Sequence, residues 1–466
     1  MLPACLHPAV VTTHRFSGAA GLKSGLAGNG ITDIAFSRGE LWLGTGNGLS
    51  RLDLASKRFT NYSSAAGMGH GSVSALWVRG DTVIVATATD TVTAVDPAAL
   101  PKGTGLSLSY DNGTTWRHVS QPGATPIQNL TYDIAVFGQT IWISSYGGGV
   151  QKSEDWGQTW LEAAPDTFNF DPYGKYNHRG FSAVAGGDAI WIGTAEGINK
   201  STNNGATWKN FNHVSQPEPI SGNFVVALGC QQTGGREIIW GATWVAEGEN
   251  EFNGVSRSLD GGLTWKTFLR DEKAHNFAFD DSVVYVAADN GLFVSHDLGE
   301  SWYLFPPMKD AQDGDRVLST EAYSAFAQQG QLWAGMADGL AYSANNGFSW
   351  DLFRAFVRTG REGEKRTYAY PNPFSPMRQN LIGGDGYVRF QYNTKSATRV
   401  TLKVFDFAME LVATVVQDVY RIGPADCAEI WNGRNDYGDM VANGAYFYSV
   451  EIDGDGTYWG KVLVIN

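Results

Sequence analysis

A chain of 466 residues, 43% of them hydrophobic, can pack a large interior, which excludes wholesale disorder. A net charge of −13 repels phosphate backbones and excludes nucleic acid as a partner, and no apolar run approaches the ~20 residues that span a bilayer. Cys5, Cys230 and Cys427 are too few and too scattered for a disulfide framework or a metal cluster.

The start, Met1-Leu2-Pro3-Ala4-Cys5, has neither a basic segment nor an apolar one, so no signal peptide is expected in it. Residues 10–17 are similar to Lys57–Ser64 and read as a strand that closes a ring or as the remnant of a lost unit. From Ile31 a unit repeats. An alternating strand, Thr32–Phe36, leads to Leu41-Trp42-Leu43-Gly44-Thr45, then to two more short strands. The second-strand pattern returns at Ile141–Ser145, Ile190–Thr194 and Leu332–Met336, and more loosely at Ile239–Thr243 and Val284–Ala288. Units starting near Ile31, Ser72, Gln128, Gly180, Asn223, Ala274 and Glu321 make seven. Four-stranded sheets repeated in this way bury both faces only by stacking radially, which predicts an all-β, seven-bladed β-propeller.

Six units carry the pattern Ser-x-Asp/Asn-x-Gly-x-Thr/Ser-Trp: Ser109–Trp116, Ser153–Trp160, Ser201–Trp208, Ser258–Trp265, Ser295–Trp302 and Ser343–Trp350. They recur at roughly 40–50 residues, the spacing of propeller blades. Asp111, Asp155, Asn203, Asp260, Asp297 and Asn345 are expected to accept backbone hydrogen bonds in a tight turn between the third and outer strands. The glycine supplies the positive φ. Trp116, Trp160, Trp208, Trp265, Trp302 and Trp350 are expected to drop their rings between neighbouring sheets. The pattern resembles the Asp-box, or BNR repeat, of sialidases, sortilin-type receptors, xyloglucanases and a photosystem II assembly factor, over roughly residues 80–357. The first unit lacks the turn and is similar to the propeller repeats of two-component sensors.

After a charged, aperiodic stretch at 358–367, read as a linker between a propeller of residues 1–357 and a module of residues 368–466, strands are predicted at Val388–Tyr392, Val400–Asp406, Leu411–Val416, Tyr446–Ile452 and Trp459–Ile465. Tyr370-Pro371-Asn372-Pro373, the tryptophan motif at Trp431–Gly438 and the strand Gly444-Ala445-Tyr446-Phe447-Tyr448 resemble the immunoglobulin-like (Ig-like) domain of the flagellar hook-capping family and the sorting domains of type IX-secreted proteins. That resemblance implies an Ig-like β-sandwich, export to the cell surface, envelope or medium, and secretion or envelope machinery as a partner. Asp453-Gly454-Asp455-Gly456 reads as a hairpin turn, because a calcium loop needs more oxygen ligands. No metal or cofactor is expected.

The longest connections, Glu162–Arg179, His213–Gly222, Ala242–Asn253, Arg270–His275 and Phe305–Glu321, fall on the face opposite the eight-residue turns. Tyr173, Tyr176, His178 and Arg179 crowd the first of them beside Phe168 and Phe170, and Trp244 and Glu247 mark the third beside Glu249, Glu251 and Phe252. Aromatic rings beside carboxylates suit a glycan or protein ligand. The plainer reading is that the rings pin the loops and the glutamates are solvated. A glycosidase needs a carboxylate pair, for which Glu247 with Asp171 or Glu321 are candidates. An arginine cluster of sialidase type is missing, and the single propeller differs from the tandem pair of the xyloglucanases. The leading reading is an exported, non-catalytic propeller that binds a protein or glycan on its loop face. The alternative is a glycoside hydrolase of Asp-box type.

Overall fold

The computed structural model describes residues 25–91, 100–123, 128–166, 169–246, 248, 250–311, 315–355, 359, 365–379 and 385–466. They fall into two compact units, Met1–Val317 with Glu321–Ala355 and Leu318–Thr320 with Phe356–Asn466.

In the first unit the described residues form seven four-stranded antiparallel sheets, each from strands consecutive in sequence. The first strands are Ile31–Ser37, Ser72–Arg79, Thr131–Phe137, Gly180–Gly186, Phe224–Thr233, Ala274–Asp280 and Ala322–Gln328. Each touches the next, and the seventh touches the first, so the ring closes as a β-propeller. The seam between the last blade and the first uses the same bond as the seams within the chain. Ser324 Oγ donates to the Ile31 carbonyl at 3.1 Å, as Thr32 Oγ1 donates to Val73 at 2.9 Å and Ser182 Oγ to Val225 at 3.0 Å. Residues 10–17 lie outside the described residues. Second strands are covered on both faces by neighbouring blades and so read as continuous apolar runs. Trp42, Trp142, Trp191, Trp240 and Trp333 on them are fully buried.

The eight-residue turns share one bonding scheme. In Ser153–Trp160 the Ser153 hydroxyl accepts the Gly157 N–H at 2.7 Å and donates to Asp155 at 2.8 Å. Asp155 accepts the Thr159 N–H at 2.8 Å and the Thr159 hydroxyl at 2.6 Å. Asp111, Asp260 and Asp297 repeat this. At Asn203 and Asn345 the hydroxyl bond reverses direction. The Asn203 amide oxygen still accepts the Thr207 N–H at 2.9 Å, but its Nδ2 now donates to the Thr207 hydroxyl at 2.9 Å, and Asn345 does the same with Ser349. The hydroxyl and N–H donated by residue 159 hold the Asp155 carboxyl down at about 2, and those of Ser301 do the same for Asp297.

Each turn presses on the blade before it. In the sixth blade Gly299 has φ 93°, and a Cβ there would lie 2.7 Å from the ring of Trp240 in the fifth. The turn tryptophan meets the same neighbour edge-on: Trp302 with Trp240 at 6.2 Å, Trp208 with Trp142 at 5.7 Å and Trp265 with Phe211 at 6.4 Å. Burial of these rings is uneven. Trp265 and Trp350 are buried, while Trp116, Trp160, Trp208 and Trp302 are only partly so. A cation on the third strand completes the contact. Arg51 lies 5.4 Å from the Trp42 ring and donates to the Asn112 carbonyl of the next turn at 2.9 Å, and Lys152 lies 5.8 Å from Trp142 and donates to Asn204 at 3.1 Å. Arg257 does the same with Trp240 and Leu298.

In the second unit a three-stranded sheet (Thr367–Tyr370, Val388–Thr394, Ala425–Trp431) and a four-stranded one (Leu411–Arg421, Thr398–Phe405, Gly444–Ile452, Gly456–Val464) share one apolar core that includes Phe374, Phe390, Leu402, Trp431 and Tyr448. Two of these strands were not anticipated from sequence, Thr367–Tyr370 and Ala425–Trp431. The second carries Asp426, Cys427 and Glu429, which obscure its alternation. Glu429 is buried there because Tyr392 donates to it at 2.6 Å and Arg421 pairs with it at 2.7 Å. Asp453–Asp455 forms the turn of the last hairpin, and Asp455 pairs with Arg366 and Lys395.

Two outcomes follow from the turn contacts. Trp265→Ala should destabilise the ring by about 3–5 kcal/mol, and the partly buried Trp160→Ala by less, in denaturant titrations. The depressed carboxyls of Asp155 and Asp297 lend stability that is complete above the ordinary carboxylate range near pH ~4 and is lost as pH falls toward 2. Asp155→Asn should therefore keep the turn, as Asn203 does, and reduce the loss of melting temperature between pH 5 and pH 2.5. Asp155→Ala should lower the melting temperature at both pH values.

Candidate functional site

Every first strand contains a β-bulge near its start, which swings one residue out of the alternation. The residues at the bulge are Thr32, Ser74, Tyr132, Phe181, Val226, His275 and Tyr323. They gather where the first strands begin, on the face of the inter-blade loops. Two aromatic arcs result. Tyr132 lies 5.4 Å from Phe181, which lies 4.2 Å from Phe224 and 5.8 Å from Tyr146. Trp244 lies 5.6 Å from His275, which lies 5.7 Å from Tyr323. The Trp244 indole donates to the Ala274 carbonyl at 3.0 Å, the His275 imidazole bonds Asp289 at 2.6 Å, and the Tyr323 hydroxyl donates to Glu321 at 2.8 Å.

Of the residues expected to bind, Trp244 belongs to the second arc. Tyr173 is exposed and Tyr176 partly so, at the edge of the loop after the third blade. His178 is wholly buried inside that loop. Its Nδ1 accepts the Asp171 N–H at 2.9 Å, its Nε2 bonds Asp166 at 2.9 Å, and its ring stacks on Phe170. Arg179 is buried as well. It donates to the carbonyls of Pro172 and Tyr173, and its guanidinium lies 4.6 Å from the Tyr176 ring and 5.2 Å from that of Tyr146. His178 and Arg179 thus shape the loop that presents the two tyrosines. Glu247 lies outside the described residues. Sequence reasoning missed the other arc members, although each bulge falls at the same place in its repeat. Among the described residues no three His, Cys, Asp or Glu converge as a metal ion would require.

Just past the bulge sit two acids. Asp33 accepts the Ile34 N–H at 2.8 Å and the Leu76 N–H of the second blade at 3.0 Å. Asp133 accepts the Ile134 N–H at 2.8 Å and the Ala183 N–H of the fourth blade at 2.9 Å. Burial against the strands raises Asp33 to about 6 and Asp133 to about 7, with the charge of Asp33 adding to the second. Both side chains keep some exposure to solvent. A raised carboxyl keeps its proton to higher pH in the native state than in the unfolded chain, so its contribution falls as pH climbs from ~4 through 7. Asp133→Asn should accordingly flatten the decline in melting temperature between pH 5 and pH 8. An unchanged slope would show that Asp133 does not titrate there.

No family model and no curated protein matches this sequence. Solved structures do. A GH74 enzyme of Niastella koreensis aligns over 95% of this chain and 74% of its own at 14% identity, with a TM-score of 0.53. The GH74 xyloglucanase of Xanthomonas campestris aligns over 79% of this chain and 58% of its own at 14% identity, with a TM-score of 0.50. PorZ, a bacterial surface component of the type-IX secretion system of Porphyromonas gingivalis, aligns over 94% of this chain and 87% of its own at 12% identity, with a TM-score of 0.39. What the chain shares with the two GH74 proteins is the β-propeller fold.

Proposed function

We propose that this protein is an exported, non-catalytic β-propeller that binds a protein or glycan on its loop face, with a C-terminal module that sorts it to, or holds it at, the cell surface. The observation that carries the binding role is the aromatic arc of Trp244, His275 and Tyr323, rimmed by Asp289 and Glu321; the first arc packs as a small core beneath the same face. Rings fixed by strand geometry lose little freedom when a ligand stacks on them. The absence of catalysis is supported by what the candidate acids do. Asp171 accepts the N–H groups of Tyr173 at 3.1 Å and Gly174 at 2.9 Å and so shapes its own turn, and Glu321 holds the Tyr323 hydroxyl.

In this proposal the six turns are Asp-boxes, and the C-terminal unit is an Ig-like sandwich of the hook-capping or type IX sorting kind over residues 368–466, after a linker at 358–367. Two features support the second assignment. Trp431 lies in the core shared by both sheets, and Asn372 of the Tyr-Pro-Asn-Pro segment bonds the last strand through Lys461 at 2.9 Å and Leu463 at 3.0 Å. Secretion or envelope machinery is then the partner of this unit.

The purified chain, incubated with xyloglucan and with sialyllactose, should release no product detectable above a protein-free control. Turnover that is lost in Glu321→Gln would overturn the non-catalytic proposal in favour of a glycoside hydrolase.

A further inference from the structure

We propose that the arc of Trp244, His275 and Tyr323 receives the cationic side chain of a lysine- or arginine-bearing peptide segment. This rests on the loop-face binding role above and names the chemistry of its ligand.

The arc is a set of ring faces and edges whose polar atoms are already engaged, with Asp289 and Glu321 standing at its rim. The chain's own cations show what such rings accept on this face. The Lys273 ammonium lies 5.2 Å from the Trp244 ring centre, and the Arg270 guanidinium lies 3.9 Å from that of Phe252. Trp244 itself is buried and forms the back of the arc, while His275 and Tyr323 are partly exposed; Lys273 is exposed, so it can give way to a cation that reaches the arc edge.

Charge selects the occupant. On the opposite face several acids have basic partners, Asp81 with Arg38, Glu154 with Lys152, and Glu300 with Arg257 and Lys266, while the turn acids are satisfied by N–H and hydroxyl groups of their own turns. On the loop face Glu251 and Glu272 bond side-chain amides and Asp289 bonds an imidazole. None of the three forms an ion pair with Lys or Arg among the described residues. Arg354, buried, pairs with Asp315 and Asp338 on that side. A neutral sugar would cover the rings and leave these charges uncompensated, whereas a guanidinium or ammonium stacks on the rings and answers the carboxylates.

The test is calorimetric titration of the full chain with the capped peptide Gly-Ser-Arg-Ser-Gly and with its citrulline analogue, which keeps the shape and removes the charge. The arginine peptide should bind, with affinity falling as salt rises, and the citrulline peptide should bind at least tenfold more weakly. Tyr323→Ala and Asp289→Asn should each weaken binding at least fivefold, Tyr323→Phe should retain it, and the surface change Lys273→Ala should tighten it. Equal affinity for the two peptides, or no binding of either, would overturn the inference. If a glycan array then showed saccharide binding that Tyr323→Ala abolished, the loop-face role would stand with a different ligand. Failure of both probes would count against that role as well.

Discussion

One contact recurs around the ring: a hydrogen-bonded turn of one blade pressed onto an apolar side chain of the blade before it, an indole at Trp42, Trp142 and Trp240, and Leu108, Phe211 or Phe305 at the other turns. The Ser and Asp or Asn of the turn satisfy its backbone N–H groups, which frees the glycine to approach that side chain more closely than any other residue would allow. The cation of the third strand then bridges indole and turn, so a single tryptophan is held from two blades. The seam into the first blade, which lacks the turn, is built from stacked rings instead. Tyr342 takes the place of the cation and stacks on Trp333 of its own blade at 4.0 Å; across the seam Lys57 lies 5.2 Å from the Tyr342 ring and Phe36 stacks on Phe326 at 5.1 Å. A propeller is as strong as its weakest seam, and here the odd seam is compensated by aromatic contact.

In the proposed binding role, that rigidity is what would make the loop face specific. The bulges set Tyr132, Phe181, His275 and Tyr323 on the innermost strands, whose backbones are fixed by ladder bonds on one side and by cross-blade bonds on the other. The loops contribute by folding onto themselves. His178 and Arg179 close the loop that carries Tyr173 and Tyr176 in the way a small core closes around its own polar groups.

The blades and turns were legible because each is written six or seven times, and repetition separates a pattern from chance. The start of every described blade lies within a few residues of its expected place, from Ile31 to Ala322. The cationic bridge was legible in principle, since Arg51, Lys152, Lys200 and Arg257 each follow the first glycine of a third strand by three residues. Its purpose shows only when the next blade is in place. The bulges were hidden because one extra residue looks like an imperfect alternation. Burial of His178 was hidden too: a histidine in a long polar loop looks exposed until the loop closes over it. The strand Ala425–Trp431 escaped notice because its buried glutamate depends on Tyr392 and Arg421, both distant in sequence.

Amide hydrogen exchange at the turn glycines tests the central claim most directly. The N–H groups of Gly113, Gly157, Gly205, Gly262, Gly299 and Gly347 each donate to a serine hydroxyl within a turn on the ring's rim, where an ordinary turn would exchange quickly. If the turns are seated against the preceding blades, these six amides should be protected to the same extent as those of the inner strands and open only with the ring as a whole. Exchange at the rate of an unstructured turn, while the inner strands stay protected, would show that the turns decorate the blades and do not hold them together.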